Sequence, residues 1–366
     1  MALRIRVPAH IRSLTPYVPG KPVQEVEREL GLTDTVKLAS NENPFGPSPK
    51  ALEAARNHLP SLHFYPEGGG FYLCQALGRH FGIGQDRVIL GNGSVELIEI
   101  AARALLEPGA NAVMSAGAFA MYRIATLAAN AEAREVPMAG RTHDLSAMAR
   151  AVDASTRMVL VANPNNPTGT YNPLSEVARL LEEVPSDVLV ILDEAYKEFV
   201  DRRDYGTAQG LLERHPNLLV LGTFSKVYGL AGLRVGYGFG HPDLLALLHK
   251  VRSPFNTSSI AQVAAIAALG DQSFVKNYVA FNRVEMAYLC GRLAEMGFAF
   301  TPSVTNFVLV DLPGPAEDFY QKLLREGVIV RPMAMSGFPG SIRVTLHRRE
   351  GNDRFLKALA KVCGKS

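Results

Sequence analysis

The stretch Leu218-Leu219-Val220-Leu221-Gly222-Thr223-Phe224-Ser225-Lys226-Val227-Tyr228-Gly229-Leu230-Ala231-Gly232-Leu233-Arg234 decides the reading of this chain. An apolar run, Leu218 to Leu221, ends in two hydroxyls, an amine, a glycine turn and an arginine. That is equipment for holding a phosphate and an aldehyde together. Lysine amines form Schiff bases with carbonyl compounds, and pyridoxal phosphate is the commonest carbonyl cofactor held that way. A lysine drawn at random is a solvated surface charge; the neighbours of Lys226 argue against that here.

Two further runs upstream end in the same manner. Val188 to Leu192 leads into Asp193-Glu194-Ala195-Tyr196. A carboxylate at the carboxyl end of a buried strand faces the crevice where open α/β sheets bind ligands. There it could keep a pyridine nitrogen protonated and make the ring an electron sink; the plainer reading is a helix N-cap. Met158 to Val161 opens into Asn163-Pro164-Asn165-Asn166-Pro167-Thr168-Gly169, a turn by composition. Gly91-Asn92-Gly93-Ser94 follows a strand pattern and opens a helical one. Its backbone N–H groups suit a phosphate, or an ordinary capped helix. Thr223, Ser225 and Arg234 add hydroxyls and a guanidinium fork to that anion site. An unperturbed lysine titrates at roughly 10.4. Partial burial and the Arg234 charge would lower that value and free Lys226 for capture and for general base and acid work.

Taken in order, NPNNPTG, DEAY and TFSK with GLAGLR resemble the fold-type-I pyridoxal-phosphate aminotransferases, over nearly the whole chain from Tyr17 to the C-terminal helix. Pro16-Tyr17-Val18-Pro19-Gly20-Lys21-Pro22, Gly91-Asn92-Gly93-Ser94, Asn306-Phe307-Val308-Leu309 and Ile342-Arg343-Val344-Thr345 resemble the histidinol-phosphate group within that superfamily. The resemblance implies pyridoxal 5′-phosphate as cofactor. It implies Lys226, Asp193 and Tyr196 as catalytic residues, and Asn166 with Tyr196 on the ring's 3′ oxygen. For Asn166 a bare turn role stands beside this, and for Tyr196 a core role. Gly93, Ser94, Val95, Thr223, Ser225 and Arg234 would hold the phosphate. Val95 stands where the family usually has aspartate, so a side-chain cap is lost and the backbone amide is kept. Phe119, in Ala116-Gly117-Ala118-Phe119-Ala120-Met121-Tyr122, either stacks on the ring or packs in the core.

The resemblance also implies a substrate site. Arg343 matches the carboxylate-binding arginine, Arg331 a phosphate-binding position, and Tyr17 an N-terminal arm tyrosine that closes over substrate. Histidinol phosphate carries a phosphate monoester in place of an α-carboxylate, whereas glutamate and 2-oxoglutarate carry the carboxylate. One pocket must take both anions in a ping-pong transfer belonging to histidine biosynthesis. Tyr65 matches a tyrosine that reaches the phosphate from a partner subunit, which implies a homodimer with shared sites. The adjoining Glu67-Gly68-Gly69-Gly70 reads as a mobile segment. An aromatic amino acid aminotransferase and a threonine-phosphate decarboxylase are the rival enzymes. A cofactor-sensing regulator would need a helix-turn-helix ahead of Tyr17, for which the arm leaves no room.

Composition agrees with a soluble enzyme. The chain has 366 residues, 47% hydrophobic, with 38 basic and 35 acidic side chains and a net charge of +3. That balance gives no reason to expect nucleic acid. Arg4, Arg6 and Arg12 precede no apolar signal region, and no run reaches the roughly 20 apolar residues that span a bilayer. Cys74, Cys290 and Cys363 are too few and scattered for a disulfide framework or metal site, and suit the cytoplasm.

The middle of the chain alternates strand and helix patterns. Strands are expected at 87–90, 111–115, 158–161, 188–192, 218–221 and 235–239, with helices at 94–106 and 174–184. This is an α/β layered domain with a mostly parallel sheet, of pyridoxal-phosphate-transferase type. After residue 254 the pattern changes: helices at 259–269 and 271–296, strands at 307–310, 328–330 and 342–346, helices at 315–325 and 352–362. The expected division is a large cofactor-binding domain, 32–253, and a smaller discontinuous α+β domain, 1–31 with 254–366.

Overall fold

The computed structural model describes residues 5–364; residues 1–4 and 365–366, the outer ends of the expected smaller domain, lie outside the described residues. In chain order the strands are β1 (Val36–Lys37), β2 (Val88–Gly91), β3 (Asn111–Ser115), β4 (Glu132–Val136), β5 (Thr156–Ala162), β6 (Leu189–Asp193), β7 (Leu218–Thr223), β8 (Gly236–Phe239), β9 (Phe300–Thr301), β10 (Phe307–Asp311), β11 (Val328–Ile329), β12 (Arg331–Met333) and β13 (Phe338–Thr345). A seven-stranded sheet runs β2-β8-β7-β6-β5-β3-β4. β8 alone runs against the other six strands, antiparallel to both β2 and β7.

The apolar runs of that sheet are continuous because both its faces are covered. Successive side chains point to opposite faces. Val159, Val161, Val190, Leu192, Leu218 and Val220 enter one core. Their neighbours Met158, Leu160, Leu189, Ile191, Leu219 and Leu221 enter the other. The helix Ser94–Leu105 covers the second face with Leu97, Ile98 and Ala101. On the first face, the helix Ser259–Leu269 packs on the helices Pro49–His58 and Phe71–Phe81. The carboxyl ends of β2, β5, β6 and β7 therefore open along one edge, where a parallel sheet offers its crevice.

A second sheet, β12-β13-β10-β9, is antiparallel throughout. Its core holds Val308, Val310, Ile342, Val344 and Phe355. The short strand β1 pairs in parallel with β11, and Leu38 and Ala39 join this second core. The 24-residue helix Gln272–Glu295 precedes it in the chain. Among the described residues no helix is long and apolar enough to cross a membrane.

The six expected central strands, the two expected central helices and the seven later elements are present; their ends agree within three residues, except that β13 begins four residues earlier than expected. The strands β1, β4, β9 and β12 are additions. The glycine-rich segment is not loose, contrary to expectation. The Glu67 carboxylate accepts the N–H groups of Gly69 at 3.0 Å and Phe71 at 2.5 Å, opening the helix Phe71–Phe81. Arg252 donates to the Gly68 carbonyl at 2.8 Å.

Candidate active site

A cavity of about 380 Å³ lies between the two sheets. It gathers Tyr17, Ser94, Val95, Phe119, Asn166, Asp193, Tyr196, Thr223, Ser225, Lys226, Arg234, Arg331 and Arg343, that is, every site residue expected from the sequence except Gly93 and Tyr65.

One pole is an anion cradle. The helix Ser94–Leu105 begins after Gly93, and no side chain caps it. The first N–H groups of a helix have no partner within it, and the helix dipole favours negative charge there. Glu96 turns back to accept the Asn92 N–H at 2.6 Å and the Asn256 amide at 2.5 Å. It leaves the Ser94 and Val95 amides to the cavity, so Val95 in place of an acidic residue costs no donor. Gly236, on β8, sits where a Cβ would stand 2.5 Å from the Ser94 nitrogen. A Cβ on Gly93 (φ +82°) would stand 2.2 Å from Arg234 Nη2. Gly93 thus acts by letting the guanidinium close on the helix end. Arg234 is itself left-handed (φ 52°) and donates to Ser225 Oγ at 3.3 Å and to the Asn92 carbonyl at 3.4 Å.

At the centre, Lys226 Nζ donates to the Ser40 carbonyl at 3.2 Å and lies 5.7 Å from the Tyr196 ring centroid. Burial, then the positive charges of Arg343 and Arg234, push its pKa down to about 8. The sequence pointed to Arg234 as the charge responsible; Arg343 acts more strongly. Asp193, at the end of β6, is 5% exposed. It accepts the Ala195 N–H at 3.1 Å and the Tyr122 hydroxyl at 3.4 Å. Burial raises its pKa to about 6, against the pull of those donors and of Lys226. Tyr196 is buried, and its hydroxyl accepts from Asn41 Nδ2 at 2.8 Å. Phe119 sits edge-on to Tyr122 at 5.8 Å and borders the cavity, so it both packs and presents a ring.

The other pole is a pair of arginines. Arg331 on β12 and Arg343 on β13 are direct cross-strand partners. Arg331 opens its own strand instead of trailing the preceding one. Like charges placed directly opposite destabilise a sheet, so this pair is favourable only with an anion between or beside them. Arg343 is 6% exposed, and it donates to Asn166 Oδ1 at 2.5 Å and the Ala39 carbonyl at 2.6 Å. Its buried Nε has no partner. Arg331 donates to the Val18 carbonyl and lies over the Tyr17 ring at 5.2 Å. Both arginines, with Tyr17, also border a second cavity of about 330 Å³ that reaches Tyr320. Tyr65 stands apart, 82% exposed and stacked on Phe255 at 4.8 Å.

Pyridoxal 5′-phosphate fits this inventory: uncapped helix amides and Arg234 for the phosphate, an amine of lowered pKa for the aldehyde, and a buried carboxylate for the ring nitrogen. The model of the family described as aminotransferase class I and II matches residues 33–359. The chain belongs to this family. It is accordingly an aminotransferase that acts on small molecules. Histidinol-phosphate aminotransferase 2 of Pseudomonas aeruginosa is 50% identical over 354 residues, 96% of each chain. The protein of the same name from Nitrosospira multiformis is 46% identical over 355 residues, 96% of this chain and 91% of the relative. The crystal structure of histidinol-phosphate aminotransferase from Sinorhizobium meliloti, in complex with pyridoxal-5′-phosphate, aligns with a TM-score of 0.92 at 31% identity, over 99% of this chain and 98% of that one.

Sequence reasoning missed Asn41, Ser40 and Tyr122 as members of the site. Ser40 and Asn41 lie in a polar stretch before Pro44 that reads as a turn, and Tyr122 lies inside a helix.

Proposed function

We propose that this aminotransferase moves an amino group between L-histidinol phosphate and 2-oxoglutarate, with pyridoxal 5′-phosphate as cofactor, in histidine biosynthesis. The observation that carries the substrate reading is the directly opposed pair Arg331 and Arg343 within one cavity with Lys226. A single guanidinium suffices for a carboxylate; a phosphate dianion offers acceptors for two forks. The names of the relatives at 46% and 50% identity support the same reading.

When bound, the cofactor supplies a carbonyl for the substrate amine and a ring that draws electron density from the α-carbon. The chain's residues do the rest. The Ser94 and Val95 amides, Thr223, Ser225 and Arg234 would grip the phosphate. Asp193 would hold the ring nitrogen in its protonated form; that new positive charge lowers the carboxyl's pKa and keeps it ionised. Asn166 and Tyr196 would hold the 3′ oxygen, and Phe119 one face. Lys226, with its amine near half-deprotonated at about pH 8, is suited to take a proton from the substrate α-carbon and return it elsewhere. A base whose pKa lies near the working pH serves both directions of transfer. Arg343 and Arg331 would orient either substrate by its anion, and Tyr17 would cover it.

We also read the chain as a homodimer with shared sites. Leu62, Phe64, Tyr65, Phe71, Tyr72 and Phe255 are 46–82% exposed, a patch of the kind a second copy covers. Tyr65 would then reach the partner's site. We keep the division into a larger and a discontinuous smaller unit but not its bounds of 32–253 and 1–31 with 254–366: Leu38 and Ala39 pack with the smaller unit's core, and Ser259–Leu269 packs with the larger one's. A cytoplasmic setting suits this metabolism and the three scattered cysteines.

The test is kcat/KM for histidinol phosphate, phenylalanine and tyrosine with 2-oxoglutarate as acceptor. Histidinol phosphate should lead by about 100-fold or more, since a charged hydrogen-bonding site discriminates strongly against a substrate lacking its partner. Parity with phenylalanine would favour the aromatic enzyme instead.

A further inference from the structure

Three consecutive residues, Ala39, Ser40 and Asn41, each touch a different member of the site. The Ala39 carbonyl accepts from Arg343, the Ser40 carbonyl from Lys226, and the Asn41 amide donates to Tyr196. Asn41 is the most constrained of the three. It is 1% exposed, borders the cavity, and has a left-handed backbone (φ 55°). Its N–H donates to Thr345 Oγ1 at 2.9 Å, and its carbonyl accepts from Asn306 Nδ2 at 3.1 Å. Thr345 donates its single hydroxyl proton to Asn41 Oδ1 at 3.0 Å. That bond orients the amide: reversed, it would leave the Thr345 proton without an acceptor. Nδ2 therefore points at Tyr196 Oη, 2.8 Å away.

A tyrosine hydroxyl has one proton to donate and lone pairs to accept. With Asn41 Nδ2 filling an acceptor position, the Tyr196 proton is left for another acceptor in the cavity. We infer that Asn41 is a positioning residue that commits the Tyr196 hydroxyl to donate, and so to favour the deprotonated 3′ oxygen of the cofactor. Thr345 stands two positions beyond Arg343 on β13 and shares its face of the strand. The same amide thus ties the Tyr196 hydroxyl to the strand that carries the substrate-binding arginine. The inference rests on the cofactor reading above.

The test uses Asn41→Gly, Asn41→Asp and Tyr196→Phe, each alone, and both Asn41 substitutions in the Tyr196→Phe background. Glycine accepts the positive φ and keeps both backbone bonds while removing the amide. Aspartate keeps the shape but can only accept, so it draws the Tyr196 proton to itself. Two quantities are read: the dissociation constant of pyridoxal phosphate by equilibrium dialysis, and the pH midpoint of the bound cofactor's absorbance. Tyr196→Phe, Asn41→Gly and Asn41→Asp should each raise the midpoint, by up to about one unit, and weaken binding about five- to tenfold, the effect of one lost hydrogen bond. In the Tyr196→Phe background Asn41→Gly should not move the midpoint further, while Asn41→Asp should keep only the smaller through-space effect of its charge. An unshifted midpoint in the single Asn41 variants, or an equal shift from Asn41→Gly with and without the Tyr196 hydroxyl, would overturn the inference and leave the cofactor reading standing. Failure of the unsubstituted protein to bind pyridoxal phosphate would overturn both.

Discussion

The cavity has two ends rich in hydrogen-bond donors, and they are built on opposite plans. The Ser94 end relies on backbone: helix amides, two glycines that allow close approach, and one arginine locked in a left-handed turn. The Arg331–Arg343 end relies on two long side chains facing each other across antiparallel strands. Backbone donors are fixed in place by the helix and suit a group that stays bound through every cycle. Side-chain forks adjust, and suit a place where a phosphate and a carboxylate must alternate. The contrast supports our proposal that the rigid end holds the cofactor and the adaptable end the substrates.

Lys226, between the two ends, should have the largest effect. Lys226→Ala is expected to lower turnover by about 1,000-fold or more, in the upper range for general acid–base groups, while thermal unfolding stays close to normal. Substantial turnover would show that neither end serves the chemistry assigned to it. Next come the arginines. Arg331→Ala should cut kcat/KM for histidinol phosphate about 10- to 100-fold, the value of a charged hydrogen-bonding group, and should affect glutamate less. Arg343→Ala should impair both substrates. Equal losses for the two substrates in Arg331→Ala would break the distinction drawn for the adaptable end.

At the rigid end, Gly93→Ala should weaken pyridoxal phosphate binding about tenfold, because the new Cβ meets Arg234 at a backbone φ that disfavours alanine. Saturating cofactor should restore most of the activity. Unaltered cofactor affinity would mean that the helix end is not the phosphate site. The smallest effect is one of pH. In the cofactor-free protein, capture of pyridoxal phosphate by Lys226, trapped with borohydride, should rise with pH through a midpoint near 8 and then level off. The neutral amine is the reactive form, and a depressed pKa makes it available at lower pH. A midpoint close to the ordinary 10.5 would place Lys226 in open solvent, away from Arg343 and Arg234.

The rigid end was the more legible of the two in sequence. Its strands are buried on both faces and read as unbroken apolar runs, and each run stops where chemistry begins, at Thr223, Asp193 and Gly91. β4 escaped notice because Glu132, Arg134 and Glu135 give a polar edge strand no apolar run. β12 is three residues long and contains Pro332, which argues against a strand except at an edge, where it lies. Its pairing with β13 brings Arg331 opposite Arg343, and local pattern could not supply that register. Asn41 was harder still. Its decisive partners lie 155 and 304 positions away, at Tyr196 and Thr345, and the residues around it spell only a turn. The glycine-rich segment misled because composition alone did not reveal the Glu67 carboxylate folding back on its own amides.

Every role assigned to the cavity depends on which amine meets the cofactor. The direct measurement is to saturate the protein with pyridoxal 5′-phosphate, reduce it with borohydride, digest it and map the modified peptide by mass spectrometry. One pyridoxyl group per chain, on Lys226 alone, is the predicted result. A label on another lysine with Lys226 unmodified would contradict it.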